Sequence, residues 1–326
     1  MLVATHNGSF HADEVTASVI FYLLDPETRF IRTRDPEAME KADYVVDVSG
    51  QFDLEKHFDH HPREFRIFRE NGIKYATAGL IWKKFGTELL KKLAAETPDL
   101  GEVPENILKK AFDTVDRNVM EYTDLTDNGQ LDSYTAQIAA PETPGETAVY
   151  HRVNRFFMHT PVIPYLVAMQ NRHDGTDEEQ LERFLDTVKA LAVLYRNIFI
   201  KTVSDTLLEE EVIKAYDGSE ILRLDKKLPW FDAVMNNWDI FTACKIAIYP
   251  DKKGFRIQSL PGSLSSRFIN RCNSPLAWRG KEGEELRTIS GISTITFVHN
   301  SGFTGGAETR EDIDLMARKW IDGSDK

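Results

Sequence analysis

The chain has 326 residues, 41 % of them hydrophobic and 28 % charged, which is the usage of a globular protein and not of a disordered one. That length suggests about two domains. A net charge of −12 argues against a protein that coats duplex nucleic acid by charge, and two cysteines, Cys244 and Cys272, exclude a disulfide framework and a four-thiolate zinc site.

No apolar run approaches the ~20 residues of a membrane span. A short apolar strand over 2–5 opens the chain and ends in the turn His6-Asn7-Gly8. With a strand so early, no signal or transit segment is expected, and a cytoplasmic protein is. Residues 13–24 read as a helix stopped by Asp25-Pro26. A second strand around Phe30-Ile31, a helical turn at 36–41 with proline at its start, and the buried-strand pattern Tyr44-Val45-Val46-Asp47-Val48 closed by Ser49-Gly50 follow. Strands separated by helices at this spacing predict βαβ units and a parallel sheet. Helices are predicted again at 76–85 and 104–115. Leu181, Phe184, Leu185, Val188, Leu191, Leu194, Tyr195 and Ile198 recur at three- and four-residue steps, which predicts a long amphipathic helix used for packing.

After Asp217-Gly218 the texture changes to strands at 220–224, 243–249, 255–259 and 295–299, before a last helix over 309–321. The expected architecture is α/β in three parts. Residues 1–145 carry the parallel sheet flanked by helices, 146–216 form a helical connector, and 217–326 form a smaller α/β domain. Residues 251–290 hold eight Lys or Arg against four Asp or Glu. On charge alone this surplus suits a solvated patch as well as a nucleic-acid groove.

The histidines are the strongest local signal. Five of the nine, His6, His11, His57, His60 and His61, fall in the first fifth of the chain, interleaved with Asp13, Glu14, Asp47 and Asp59. In an open parallel sheet, ligands gather beyond the carboxyl ends of the strands, which is where His6 and Asp47 are expected. Nitrogen and carboxylate donors without thiolates suit Mn²⁺, Fe²⁺, Zn²⁺ or Mg²⁺. Six or more donors exceed one zinc site, so two ions bridged by an aspartate are the economical reading. His57 is expected to be a surface residue.

Three stretches carry a resemblance: Thr5-His6-Asn7-Gly8-Ser9-Phe10-His11-Ala12-Asp13-Glu14, Tyr44-Val45-Val46-Asp47-Val48-Ser49-Gly50, and Phe58-Asp59-His60-His61. They resemble the signatures of the Myg (melanocyte proliferating gene) family, within the DHH phosphoesterase superfamily. The likeness continues through Arg32-Thr33-Arg34-Asp35-Pro36, Ser290-Gly291-Ile292 and Val298-His299-Asn300-Ser301-Gly302-Phe303-Thr304-Gly305-Gly306, so it covers nearly the whole chain.

The resemblance implies a DHH-type catalytic domain, the helical connector, and an accessory domain that grips substrate. It implies a two-metal phosphodiesterase, with Mn²⁺ the usual ion and Mg²⁺ or another divalent ion the alternative. Position by position, His6 and Asp13 match first-motif ligands, His11 stands at a further ligand position of that motif, and Asp47 matches the catalytic aspartate that bridges both ions. His60 matches the ligand of the Asp-His-His motif, with Asp59 orienting it from behind. His61 is placed to touch a substrate phosphate. Asp116 looks like the fourth-motif ligand, with a helix-end carboxylate as its bland alternative. Many superfamily members have aspartate where this chain has His11; the exchange removes one negative charge, for which Glu14 is a candidate replacement.

In the accessory domain the resemblance assigns substrate contacts to His299, Gly305 and Gly306, and the local charge adds Arg267, Arg279 and Arg310 as candidates. Trp278 and Phe303 are each either a stacking surface for a base or core. The expected activity is 3′-to-5′ hydrolysis of single-stranded RNA in the cleft between two domains, through water activated by two metal ions. A small-substrate phosphohydrolase acting on a short oligonucleotide, dinucleotide or pyrophosphate is the alternative. A metal-stabilised regulatory protein without turnover is the second. No membrane partner is expected, and a homo-oligomer is left open.

Overall fold

Leu2–Thr5 (β1), Arg29–Arg32 (β2), Tyr44–Val46 (β3) and His57–Phe58 (β4) form one all-parallel sheet in the order β2-β1-β3-β4. Val3, Ala4, Val45 and Val46 are wholly buried, as a parallel sheet covered on both faces demands. The structure, a computed structural model, describes residues 1–139, 162–172, 174–264 and 266–324.

The crossovers are helices. Ala12–Leu24 (α1) is buried along almost its whole length, because its sequence is apolar all round after Asp13 and Glu14. Pro36–Glu40 (α2) starts where Asp35 accepts from the Glu37 N–H at 3.1 Å, with proline in the first turn. Thr77–Ala95 (α3) extends well past the predicted 76–85 and buries Leu80, Ile81, Trp82, Leu89 and Leu90. Glu105–Val115 (α4), a π-helical turn over Asp116–Met120 and Glu121–Asp127 (α5) follow without a break. Leu131–Ala139 (α6), Ile163–Ala168 (α7) and Asp177–Ala215 (α8) complete the helical stretch.

Strand β1 is flanked by β2 on one side and β3 on the other. The loops after β1 and β3 therefore leave in opposite directions and open a crevice at the carboxyl edge of the sheet.

The chain divides into two compact units, Met1–Thr206 and Leu207–Lys326. The division falls inside α8, whereas 145/146 and 216/217 were the expected boundaries. Residues 140–161 and 173, the end of the expected first domain and part of the expected connector, lie outside the described residues.

In the second unit, Ile221–Arg223 (β5), Trp230–Asn236 (α9), Ile246–Asp251 (β6) and Gly254–Ser259 (β7) come first. Pro261–Ser263 (β8) and Ser266–Asn270 (β9) make a separate hairpin that no sequence signal announced. Gly283–Ser290 (α10), Ile295–Val298 (β10), Thr304–Ala307 (β11) and Arg310–Asp322 (α11) close the chain. The sheet order is β10-β11-β7-β6-β5, with only β5 and β6 parallel. Ile246, Ile248, Ile257, Leu286, Ile313, Met316 and Trp320 form its core, and Trp278 packs there too instead of offering a stacking face. Cys244 and Cys272 are buried free thiols. Among the described residues, no helix is long and apolar enough to cross a membrane.

Candidate metal centre

The carboxyl edge of the parallel sheet gathers the side chains. His6 follows β1, Asp47 follows β3, and Asp59, His60 and His61 follow β4; Asp13 and Glu14 sit in the first turn of α1, with His11 as its N-cap. Asp127, the last residue of α5, joins them. The backbone of Asp47 is left-handed, with φ of 58°, a conformation that a short polar residue tolerates and that turns the chain sharply at the strand end.

Asp47 is central. Its Oδ2 lies 3.5 Å from His6 Nε2, and its Oδ1 lies 3.5 Å from His60 Nε2 and 3.2 Å from His61 Nδ1. His60 Nε2 also faces Asp127 Oδ2 at 2.9 Å and Asp13 Oδ2 at 3.7 Å. On the other side, His6 Nε2 faces Glu14 Oε1 at 3.0 Å, and His11 Nδ1 is 4.0 Å from Glu14 Oε2. Three sets each bring their donor atoms within 4.8 Å of one another: His6, His11 and Glu14; Asp47, His60 and His61; and Asp13, His60 and Asp127.

The first-contact residues are held from outside. Asp13 accepts from the Thr77 and Ala78 N–H groups at 2.9 and 2.6 Å, and Asp124 accepts from the Gly79 N–H at 3.1 Å. Two carboxylates from other helices thus cap α3, whose own N-cap, Ala76, has no side-chain acceptor. A Cβ on Gly79 would stand 2.1 Å from Asp124 Oδ2, so only glycine fits this approach. Asp59 Oδ1 accepts from the His61 N–H and faces His61 Nδ1, each at 2.9 Å, while its Oδ2 accepts from the Gly50 N–H at 2.6 Å. It positions His61, whereas the expectation was His60. Asn128 faces His60 Nδ1 at 3.2 Å instead.

Burial opposes charge on His6, yet the Asp47 and Glu14 carboxylates outweigh it and push the imidazole up to about 10. For His60, burial is again outweighed, by Asp127, Asp47 and Asp13, and the ring is pushed up to about 11. Asp47 and Asp59 raise His61 to about 9. Asp13 shows the cost of the arrangement: burial, then the neighbouring charges of Asp127 and Asp47, hold its carboxyl well above the usual range. Asp47 is held well below it, because the imidazoles of His6, His60 and His61 beside it outweigh its burial.

The family model of the uncharacterised protein family UPF0160 (MYG1_exonuc) matches residues 2–321. The chain belongs to this family. The Schizosaccharomyces pombe "MYG1 protein C694.04c" is 32 % identical, covering 98 % of this chain and 97 % of the relative. The human "MYG1 exonuclease" is also 32 % identical, covering 97 % of this chain and 84 % of the relative. Among solved structures, a Vibrio pGpG-specific phosphodiesterase, PggH, is similar at a TM-score of 0.25 and 15 % identity, covering 98 % of this chain and 97 % of that one. RecJ of Thermus thermophilus with Mn²⁺ gives a TM-score of 0.25 and 14 % identity, covering 99 % of this chain and 52 % of that one. Likenesses that low carry no weight for this chain's fold or chemistry.

The side chains of this MYG1-family member suit a divalent ion. Glu14 Oε2 is a buried polar atom without a hydrogen bond, and His60 Nε2 meets the Asp127 carboxylate at 2.9 Å outside hydrogen-bond geometry; a buried group left unmet is costly unless something else satisfies it. The donors are imidazole and carboxylate, which suit Mn²⁺, Fe²⁺, Zn²⁺ or Mg²⁺.

Five of the six expected ligands are brought together, and Asp116 is not. Both its oxygens accept from the buried Arg69 guanidinium, at 2.9 and 2.8 Å, and Arg69 also reaches Asp124 at 2.5 Å. The π-helical turn that begins at Asp116 carries the chain one step further before the helix delivers a carboxylate to the cluster, and that carboxylate is Asp127. Asp127 and Asn128 lie beyond the helix expected over 104–115 and belong to no motif recognised in the sequence. His57 stays outside the three sets.

In the second unit the expected substrate contacts are differently employed. Gly305 and Gly306 lie in β11, an interior strand paired on both sides, and are not part of an open loop before a helix. Their backbone serves the sheet, so they offer no free row of N–H groups to a phosphate. Arg279 donates to the Ser274 carbonyl at 3.0 and 2.8 Å. Arg310 reaches Asp225 and Asp314, each at 3.6 Å, and lies over the Phe255 ring. His299 Nδ1 contacts Ser301 Oγ at 2.8 Å. Arg267 lies on β9, with its side chain outside the described residues.

Proposed function

We propose that the chain is a cytoplasmic divalent-metal-dependent phosphodiesterase, a 3′-to-5′ exoribonuclease acting on single-stranded RNA. The observation that carries this reading is the position of Asp47, whose two oxygens face His6 and His60 on opposite sides. Relatives named "MYG1 exonuclease", such as the human one at 32 % identity, support the nuclease class. Two buried free thiols suit a reducing compartment.

His6, His11, Asp13, Asp47, His60 and Asp127 would hold the ions, with Asp47 shared between two of them and Mn²⁺ the expected species. When bound, such ions acidify water and neutralise charge on a transferring phosphoryl group. The chain's own groups do the rest. His61 is exposed, and its Nδ1 is held by Asp59 and Asp47, leaving Nε2 as the remaining ring donor. Asp47 and Asp59 raise that imidazole to about 9, and Asp59, outside the ligand set, holds its Nδ1 at 2.9 Å. A protonated, oriented imidazole beside the cluster is suited to donate to a phosphate oxygen as charge develops there. Asp59 is its positioning residue, and the N-terminus of α3 fixes Asp13 through two backbone N–H groups.

The test is a cleavage assay on 5′-labelled single-stranded RNA about ten nucleotides long, with Mn²⁺, Mg²⁺ or EDTA, beside His60→Ala and a dinucleotide substrate. The expected result is a ladder shortening from the 3′ end, dependent on Mn²⁺ and lost in the variant. Cleavage of the dinucleotide alone would move the activity to small substrates. No cleavage by metal-loaded protein would overturn the reading.

A further inference from the structure

Glu14 is a fully buried carboxylate in the first turn of α1, and its two oxygens have unequal employment. Oε1 accepts from the His11 N–H at 2.9 Å and faces His6 Nε2 at 3.0 Å. Oε2 is buried without any hydrogen bond, 4.0 Å from His11 Nδ1. A capping box at a helix start needs one oxygen of this side chain, and it is ordinarily a surface device. It does not account for a second oxygen kept dry beside an imidazole, because a buried acceptor left unmet is destabilising.

The geometry of His6 sharpens the point. Its Nδ1 lies 3.0 Å from the Asn7 carbonyl, which as an acceptor places a proton on Nδ1. In the neutral ring the Nε2 lone pair then faces Glu14 Oε1 and Asp47 Oδ2. Lone pair against carboxylate is repulsive unless a cation lies between them, either a second ring proton or a metal ion. With His11 next to the free Oε2, the set offers two imidazole nitrogens and a carboxylate, a donor mix that favours a first-row transition ion.

We propose that Glu14 is itself a metal ligand, completing with His6 and His11 a nitrogen-rich site beside Asp47 and supplying the negative charge that His11 does not. This rests on the two-ion reading above. It separates two unlike sites: one rich in imidazole, held by His6, His11 and Glu14, and one rich in carboxylate, held by Asp13, Asp127 and His60.

The experiment is Mn²⁺ binding to the full chain by calorimetry, comparing wild type, Glu14→Gln and Asp127→Asn. Glutamine retains an acceptor for the His11 N–H but loses the charge. The expected result is two ions bound by wild type, with one weakened at least about tenfold in Glu14→Gln and the other weakened in Asp127→Asn. Two ions bound by Glu14→Gln with wild-type affinity would reduce Glu14 to a helix cap. A second measurement needs no variant. Glu14 is the one glutamate in the three sets among the described residues, so ¹³C-glutamate carboxyl signals of wild type should show one shifted resonance on adding Zn²⁺. No shifted glutamate with Zn²⁺ bound would overturn the proposal. Wild type that binds two Mn²⁺ ions, shows the Glu14 effect and cleaves no RNA would overturn the nuclease reading alone; wild type that binds none would overturn both.

Discussion

Asn128 decides which nitrogen of His60 faces the carboxylates. Its Nδ2 donates to the carbonyls of Lys74 and Asp124, each at 3.0 Å, so its Oδ1 is the atom turned towards His60 Nδ1 at 3.2 Å. That acceptor holds a proton on Nδ1 and makes Nε2 the nitrogen that faces Asp13, Asp47 and Asp127. Asn128→Ala should weaken Mn²⁺ binding about ten- to hundredfold while the protein stays folded. Calorimetric titration beside a thermal melt checks both halves of that statement.

Asp47→Asn is expected to abolish cleavage, by at least about a hundredfold, with the fold intact. Asparagine tolerates the left-handed backbone at this position, where φ is 58°. It removes the charge that faces His6 and His60 without removing volume. Robust turnover by a folded, metal-loaded variant would take the bridging role away from Asp47.

Gly305→Ala should destabilise the second unit by about 1–3 kcal/mol through overpacking. A Cβ there would stand 2.6 Å from Met316 Cε and 2.7 Å from the Phe297 carbonyl oxygen, and the latter is backbone that cannot swing aside. Urea unfolding should show the loss, and Mn²⁺ affinity should not change. An unaltered unfolding curve would restore the view of this glycine as a surface contact.

Asp312 predicts a pH effect in the same unit. Its Oδ2 accepts from the Thr294 Oγ1–H, the Thr294 N–H and the Ser293 Oγ–H at 2.7, 2.8 and 2.9 Å. The Thr294 hydroxyl first, with Ser293 and the Thr294 N–H, holds this carboxyl below the usual range. A lowered value means that its contribution is present above the ordinary carboxylate pKa and is lost as pH falls through the folded one. Asp312→Asn should therefore flatten the acid limb of the stability profile and leave the neutral-to-alkaline limb parallel to wild type; identical acid limbs would count against the assignment.

Most of the first unit was legible because its signals are local. Apolar runs at Leu2–Thr5 and Tyr44–Val46, ended by turns, sufficed for two strands, and α1 follows from an apolar stretch stopped at Asp25-Pro26. The second unit was read less well. β11 is Thr-Gly-Gly-Ala, with almost no strand propensity of its own. It is a strand because β10 and β7 pair with it, and because Met316, Trp320 and Phe297 leave no room for side chains at the glycines.

The candidate site divides the same way. The convergence of His6, His11, Asp13, Asp47 and His60 is legible locally, because each follows the end of a parallel strand or opens the helix after it, and such ends share one edge. The rest of the set comes from long-range packing. Asp116 and Asp127 are both carboxylates in one helical stretch, eligible by composition alike. Arg69, distant in sequence, takes the first, and the π-helical turn and the packing of α5 deliver the second. Which partner each carboxylate meets depends on contacts between residues far apart in the chain, and no local pattern encodes those.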